Sequence, residues 1–232
     1  MSKLFNYLAL LLIVLSFASC QEKKAEANVP KWILSMVSDS KNTSAETDFS
    51  NILSDKSVPY IGYIGTDYQK FSIDIQKVQR TDDNQYNVSG ITVVKNNRCD
   101  FRGTIDIVEN REFTHPTYGV DDSMKGQFRR RGCSIAKYNL EEASQTGSGV
   151  FTGYLLFYWY ETNDGKFVYD DIDSHSDSYC NNQYAGTWKS NKTKKFKPCA
   201  WGQYRVPNSG DLDVGAGEFS VNPKYAKNGW GK

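Results

Sequence analysis

The sequence predicts an all-β fold, one antiparallel barrel or sandwich with a short N-terminal helix. Three observations predict it. In the stretch Tyr86 to Val108, the residues Tyr86, Val88, Gly90, Thr92 and Val94 recur at period two, and Cys99, Phe101, Gly103, Ile105 and Ile107 repeat the pattern beyond Lys95-Asn96-Asn97-Arg98. Alternate side chains leave a strand on opposite faces, so this stretch reads as a β-hairpin around a polar turn. The run Phe71 to Val78 alternates as well and extends the hairpin to a three-stranded meander, with Arg80 to Gln85 as the intervening turn. From Tyr60 onward period two dominates, giving about eight strand candidates and little helical pattern.

In chain order, residues 1–19 read as a secretory signal. Lys3 supplies the charge, Leu4 to Phe17 is mostly apolar, and Ala18-Ser19 precede Cys20. The apolar stretch is short for a bilayer core of about 30 Å. Phe17-Ala18-Ser19-Cys20 resembles the lipobox of bacterial lipoproteins, departing from it in having Phe where the first position is usually Leu. The resemblance covers the signal alone. It implies cleavage before Cys20, a diacylglycerol thioether on that sulfur, and a membrane-anchored protein of the cell envelope. By the sorting rule of enteric bacteria, Gln21 after the cysteine points to the outer membrane.

Residues 20–30 then form the lipidated cysteine and a charged tether, QEKKAEANVP after Cys20. Residues 31–232 form a single β-rich domain. Trp32 to Val37 is compatible with one or two helical turns. Thr43-Ser44-Ala45-Glu46 has the form of a capping box, and Phe49, Ile52 and Leu53 follow at helical spacing. Ser44 to Leu53 is therefore expected to be a short helix on the barrel mouth or sheet edge.

Setting aside Lys3 leaves 27 basic and 27 acidic side chains, so no global field draws in nucleic acid. The four cysteines after Cys20, Cys99, Cys133, Cys180 and Cys199, suit two disulfides in an exported chain. Neighbour pairing would close loops worth ~3–4 kcal/mol each on the chain-entropy model. Zinc is disfavoured, since no pair has CxxC spacing and only two histidines exist.

Arg129-Arg130-Arg131 could cradle phosphate or carboxylate, or form a solvated face neutralised by Glu141 and Glu142. Val150 to Glu161 is the most apolar run after the signal and is expected to lie centrally. Its Tyr154, Tyr158 and Tyr160 read as cross-strand packing or as an aromatic binding wall. Asn163-Asp164-Gly165 turns the chain into a returning strand, Lys166 to Tyr169. An aromatic two residues before glycine recurs in Phe101-Arg102-Gly103, Phe151-Thr152-Gly153 and Tyr184-Ala185-Gly186. Such glycines let a neighbouring backbone or ring come close and suit a tightly bent sheet. The architecture these strands suggest is lipocalin-like in the loose sense only, since no lipocalin motif is present.

Two segments could carry chemistry. Asp171, Asp173 and Asp177 stand two or four apart, a spacing that resembles the start of an EF-hand loop. Ser176 replaces its glycine and Asn182 its closing Glu, so calcium and a solvated loop both stay open. The segment Pro198 to Trp230 is Gly- and Asn-rich but holds seven large apolar residues, which implies an ordered wrap pinned near Cys199. Within it Arg205, Asp211, Asp213 and Glu218 form a candidate binding site, a carboxylate pair or calcium loop, or else a loop held by its own hydrogen bonds.

No G-x-S-x-G, HExxH, P-loop or GxGxxG occurs, and His115 and His175 are the only imidazoles. The expected function is a lipid-anchored envelope binding or inhibitor protein, immunity-like, whose partner is a protein or a glycan and which needs no cofactor. A carboxylate-based glycan hydrolase is the alternative.

Overall fold

The meander forms where the alternation places it. In the computed structural model, which describes residues 29–231, β3 (Gln69–Asp82), β4 (Gln85–Val94) and β5 (Asn97–Phe113) pair antiparallel in sequence. Lys95 and Asn96 alone make the second turn, since Val94 pairs directly with Asn97. The signal peptide, Cys20 and most of the tether lie outside the described residues. Among the described residues no helix is long and apolar enough to cross a membrane.

The chain divides into two compact units, 1–35 and 36–232. A helix, α1 (Lys31–Met36), carries the chain across that boundary. All that follows concerns the second unit, where β1 (Ser40–Asn42) and α2 (Ser50–Leu53) precede β2 (Ile61–Ile64). After β5 come β6 (Phe128–Glu142), β7 (Gly149–Thr162), β8 (Phe167–Tyr169), β9 (Asn181–Ser190) and β10 (Phe196–Gln203).

Eight of these strands close a ring. Each of β2, β3, β4, β5, β6, β7, β9 and β10 pairs with its predecessor in that order, and β10 pairs back onto β2. Closure removes the unpaired edges that an open sheet would expose. The fold is thus an up-and-down antiparallel barrel, which decides between barrel and sandwich. The long β5, β6 and β7 run past their partners at one end, where β1 pairs Arg111 to Phe113 and β8 pairs Trp159 to Glu161.

Side chains fill the barrel. Phe71, Phe101, Tyr138, Phe151, Tyr184 and Trp201 are all at most 3% exposed. Tyr184 stacks on Trp201 with ring centroids 4.7 Å apart. This bulk is the main source of stability, at roughly 1.5–3 kcal/mol per large apolar side chain buried. At one end Glu142, buried among aromatics, accepts hydrogen bonds from Gly149 N at 2.8 Å, Trp188 Nε1 at 3.0 Å and Thr92 Oγ1. Charged acceptors fixed by three donors can be buried without a compensating cation.

α2 closes the other end as the periodicity of Phe49, Ile52 and Leu53 implies, and all three are buried in the core. Phe49 meets Phe157 edge-on at 5.2 Å. The helix is shorter than expected, however, and the capping box does not form: residues 43–49 are irregular, and Asp48 Oδ1 accepts from Ser50 N at 2.8 Å and Ser50 Oγ at 2.6 Å ahead of the first helical turn.

The expected disulfides are absent: Cys99, Cys133, Cys180 and Cys199 are free thiols. Register gives the reason. Cys133 pairs with Arg111, twelve residues along β5 from Cys99, a separation of roughly 35–40 Å. Cys199 pairs with Gly186, six residues from Cys180, or about 20 Å. A disulfide needs Cα atoms within about 7 Å. Burial pushes the thiols of Cys133, Cys180 and Cys199 up to about 12, so they stay protonated and unreactive. Thiol counting on the folded protein should find Cys99, Cys133 and Cys199 blocked, with all four reacting in denaturant without a reductant; a mixed-free count of two or fewer would restore the disulfides.

Candidate functional site

Beyond the barrel rim, β6 and β7 carry Arg131 and Tyr158 on their outward faces, and β5 ends at Phe113. The chain after Phe113 and the loop between β8 and β9 fold over these strands. Between them lies a pocket of about 370 Å³. Phe113, Tyr158, Pro116 and Met36 give it an apolar wall, and Tyr179 and Cys180 close it from the loop side. Phe113 and Tyr158 hold their ring centroids 5.9 Å apart.

Its polar floor is a buried ion cluster. Arg131, 7% exposed, donates from Nε to Asp170 Oδ2 at 2.5 Å and from Nη1 to Asp173 Oδ2 at 2.7 Å. Nη1 also reaches Thr117 O at 3.1 Å, and Thr117 Oγ1 donates to Asp173 at 2.6 Å. Asp170 Oδ1 accepts from Ile172 N. Burial raises the Asp170 carboxyl above its ordinary value of 3.8, and the guanidinium offsets part of that rise. Two groups are left with unused capacity: Arg131 Nη2 makes no hydrogen bond among the described residues, and neither does the Tyr158 hydroxyl. Burial raises the Tyr158 hydroxyl well above 10, so it remains a donor. With Asp170 and Asp173 against Arg131, the lining has one surplus negative charge. The site therefore suits a neutral group that offers an oxygen acceptor beside an apolar body.

The sequence candidates separate. Of the three tyrosines, Tyr158 lines the pocket, whereas Tyr154 lies under the Lys137 ammonium and Tyr160 packs on Phe128 at 6.0 Å. The triple arginine is neutralised, but by Glu161, Asp170 and Asp173, because Glu141 and Glu142 sit at the far end of β6. Asp171, Asp173 and Asp177 do not converge, and among the described residues no group of three His, Cys, Asp or Glu side chains could hold a metal ion. Asp173 is drawn away by Arg131.

Arg205, Asp211, Asp213 and Glu218 do not form one site either. Arg205 forms an ion pair with Asp213, Nε to Oδ2 at 3.1 Å, and donates to the carbonyls of Gly217 and Gly215 at 2.9 and 3.1 Å. Asp213 Oδ1 accepts from Gly215 N and Ser220 N, both at 3.0 Å. Asp211 faces away to Lys224 and Tyr225, and Glu218 is exposed. These contacts brace the C-terminal segment, whose Trp230 Nε1 reaches Tyr68 O at 2.7 Å. The ordered wrap is present; Asp211 and Asp213 are engaged in holding it.

The pocket's other walls were missed in the sequence. Met36, Phe113, Thr117 and Tyr179 lie in separate segments of the sequence and meet only in the folded chain. Comparison with protein-family models, with characterised proteins and with solved structures finds no match. The class of protein that the fold and the site define is a filled eight-stranded barrel with a pocket outside its rim.

Proposed function

We propose that this chain is a lipid-anchored binding protein of the cell envelope, inhibitory in the immunity-like sense, that engages a protein or glycan partner through the pocket beside Phe113 and Tyr158. The observation that carries this reading is the pair of unspent donors, Arg131 Nη2 and the Tyr158 hydroxyl, against an apolar wall. Polar groups placed singly in an apolar concavity set orientation and specificity for a ligand. Of the carboxylates that the hydrolase alternative could draw on in the C-terminal segment, Asp213 is engaged by Arg205 and two backbone N–H groups. The lipobox-like Phe17-Ala18-Ser19-Cys20 supports the anchor, and Gln21 after the cysteine supports the outer-membrane location.

The test uses the full-length protein purified from its own envelope with any stoichiometric partner. Tyr158→Phe removes one donor and Phe113→Ser removes wall, and each is expected to weaken partner binding about tenfold or more. Cys20→Ala is expected to release the protein from membranes. Partner binding unchanged in both pocket variants, or turnover of peptidoglycan or polysaccharide, would overturn the proposal.

A further inference from the structure

The outer face of β3 to β6 holds a second concavity, well removed from the pocket. Its volume is about 1150 Å³. The backbone of Val88 to Gly90 and Phe101 to Thr104 forms its floor. Gly90 and Gly103 take core-facing positions of β4 and β5, in line with Val88 and Phe101, where a Cβ would lie 2.0 Å from Asp74 O and 1.9 Å from Asn139 O, so glycine lets the strands approach closely beneath that floor.

Register arranges the side chains over that floor in two rows. Lys77 pairs with Ser89, Ser89 with Arg102 and Arg102 with Glu141. One step along the strands, Gln79 pairs with Asn87, Asn87 with Thr104 and Thr104 with Asn139. Among the described residues, Thr104 alone of these makes a side-chain hydrogen bond, to Asp106 at 3.1 Å. Even Arg102 and Glu141, of opposite charge and directly across from each other, form no ion pair.

We infer that this groove is a binding site for a neutral polysaccharide strand. Charge selects the ligand class: Lys77 and Arg102 balance Asp100 and Glu141, so neither a polyanion nor a polycation gains from the groove's field. Ala143 is the one exposed apolar side chain among its lining residues, too little apolar surface for an amphipathic helix or a lipid surface. Amide side chains supply donor and acceptor side by side, matching vicinal hydroxyls. Neighbouring strands stand about 4.8 Å apart, close to the length of one pyranose ring, so the four strands present successive partners to a chain of about four sugars. The site is independent of the pocket and of any partner bound there.

The experiment titrates the full chain with neutral oligosaccharides, namely maltohexaose, cellohexaose and hexameric N-acetylglucosamine, with polygalacturonate as the charged control. Binding is followed by calorimetry and by NMR of the side-chain amides. At least one neutral hexamer is expected to bind and to shift the amide signals of Asn87 and Asn139. Its affinity should change less than twofold between 50 and 500 mM salt, which would be unexpected for charge-driven binding. Asn87→Ala with Asn139→Ala should weaken it at least tenfold, Thr104→Val should weaken it, and Tyr158→Phe should leave it unchanged. No binding by any of the three hexamers, preference for polygalacturonate, or binding indifferent to the groove variants with their melting temperatures unchanged would overturn the assignment. Loss in Tyr158→Phe alone would move the glycan to the pocket and equally overturn the groove.

Discussion

Arg131→Met is expected to lower the melting temperature by roughly 10 °C at pH 7, from a loss of about 3–5 kcal/mol. Methionine fills much of the same volume, so packing changes little, but Asp170 is left 1% exposed with no cation. The loss should depend on pH in a definite direction. Burial already holds the folded-state pKa of Asp170 above the ordinary 3.8. In the window between the unfolded and folded values the native state binds more protons, so stability contributed by this group falls as pH rises. Removing Arg131 pushes the folded value higher and widens that window. Denaturant titrations from pH 3 to 8 should therefore show wild type and variant converging toward pH 3 and separating toward neutrality. Asp170→Asn in the Arg131→Met background should recover part of the loss at pH 7, since it removes the stranded charge. A gap of constant size across the range would mean that Arg131 acts by packing alone.

Both halves of that cluster were legible in the sequence, and their meeting was not. Arg129-Arg130-Arg131 and Asp170 to Asp177 each stood out by composition. Nothing local says that β6 and β7 pair Arg131 with Tyr160, which lets the chain after β8 return Asp170 to the guanidinium. The same limit explains the cysteines. An even count in an exported chain favours disulfides, but pairing is decided by register, and register places the neighbours at opposite ends of long strands. The strands themselves were readable because period two is a local property. β3 buries every second residue from Gln69 to Ile75, and β5 buries Cys99, Phe101, Ile105 and Ile107 on one face. β6 and β7, by contrast, are buried on both faces over Arg131 to Ala136 and Leu155 to Phe157 and read instead as apolar runs. The C-terminal segment was half legible: its apolar content implied order, while the use of Arg205 and Asp213 depends on carbonyls that composition cannot show.

The aromatic-x-glycine echo leads to the second large effect. Gly186→Ala is expected to cost at least about 3 kcal/mol, at the upper end of overpacking in a filled core. Gly153 and Gly186 face each other across β7 and β9, and the Tyr138 ring lies over both. A Cβ at Gly186 would stand 2.0 Å from Thr152 O, 2.6 Å from Gly153 Cα and 2.8 Å from Tyr138 Oη. Two of those three atoms are backbone, so no rotamer change relieves the clash, and β7 and β9 must separate. Gly126→Ala is the control. Its φ of +75° carries a strain of about 1–2 kcal/mol for an L side chain, but a Cβ there meets nothing within 4 Å. Tyr138→Phe supplies the second arm. Its hydroxyl is buried without a hydrogen-bond partner, so its removal alone should be close to neutral or stabilising. In the Gly186→Ala background it should return only the fraction of the loss due to the hydroxyl contact, leaving the larger backbone share. Denaturant unfolding of the four proteins separates these contributions. If Gly186→Ala costs no more than Gly126→Ala, or if Tyr138→Phe restores it fully, close approach of the strand backbones is not what the glycine serves.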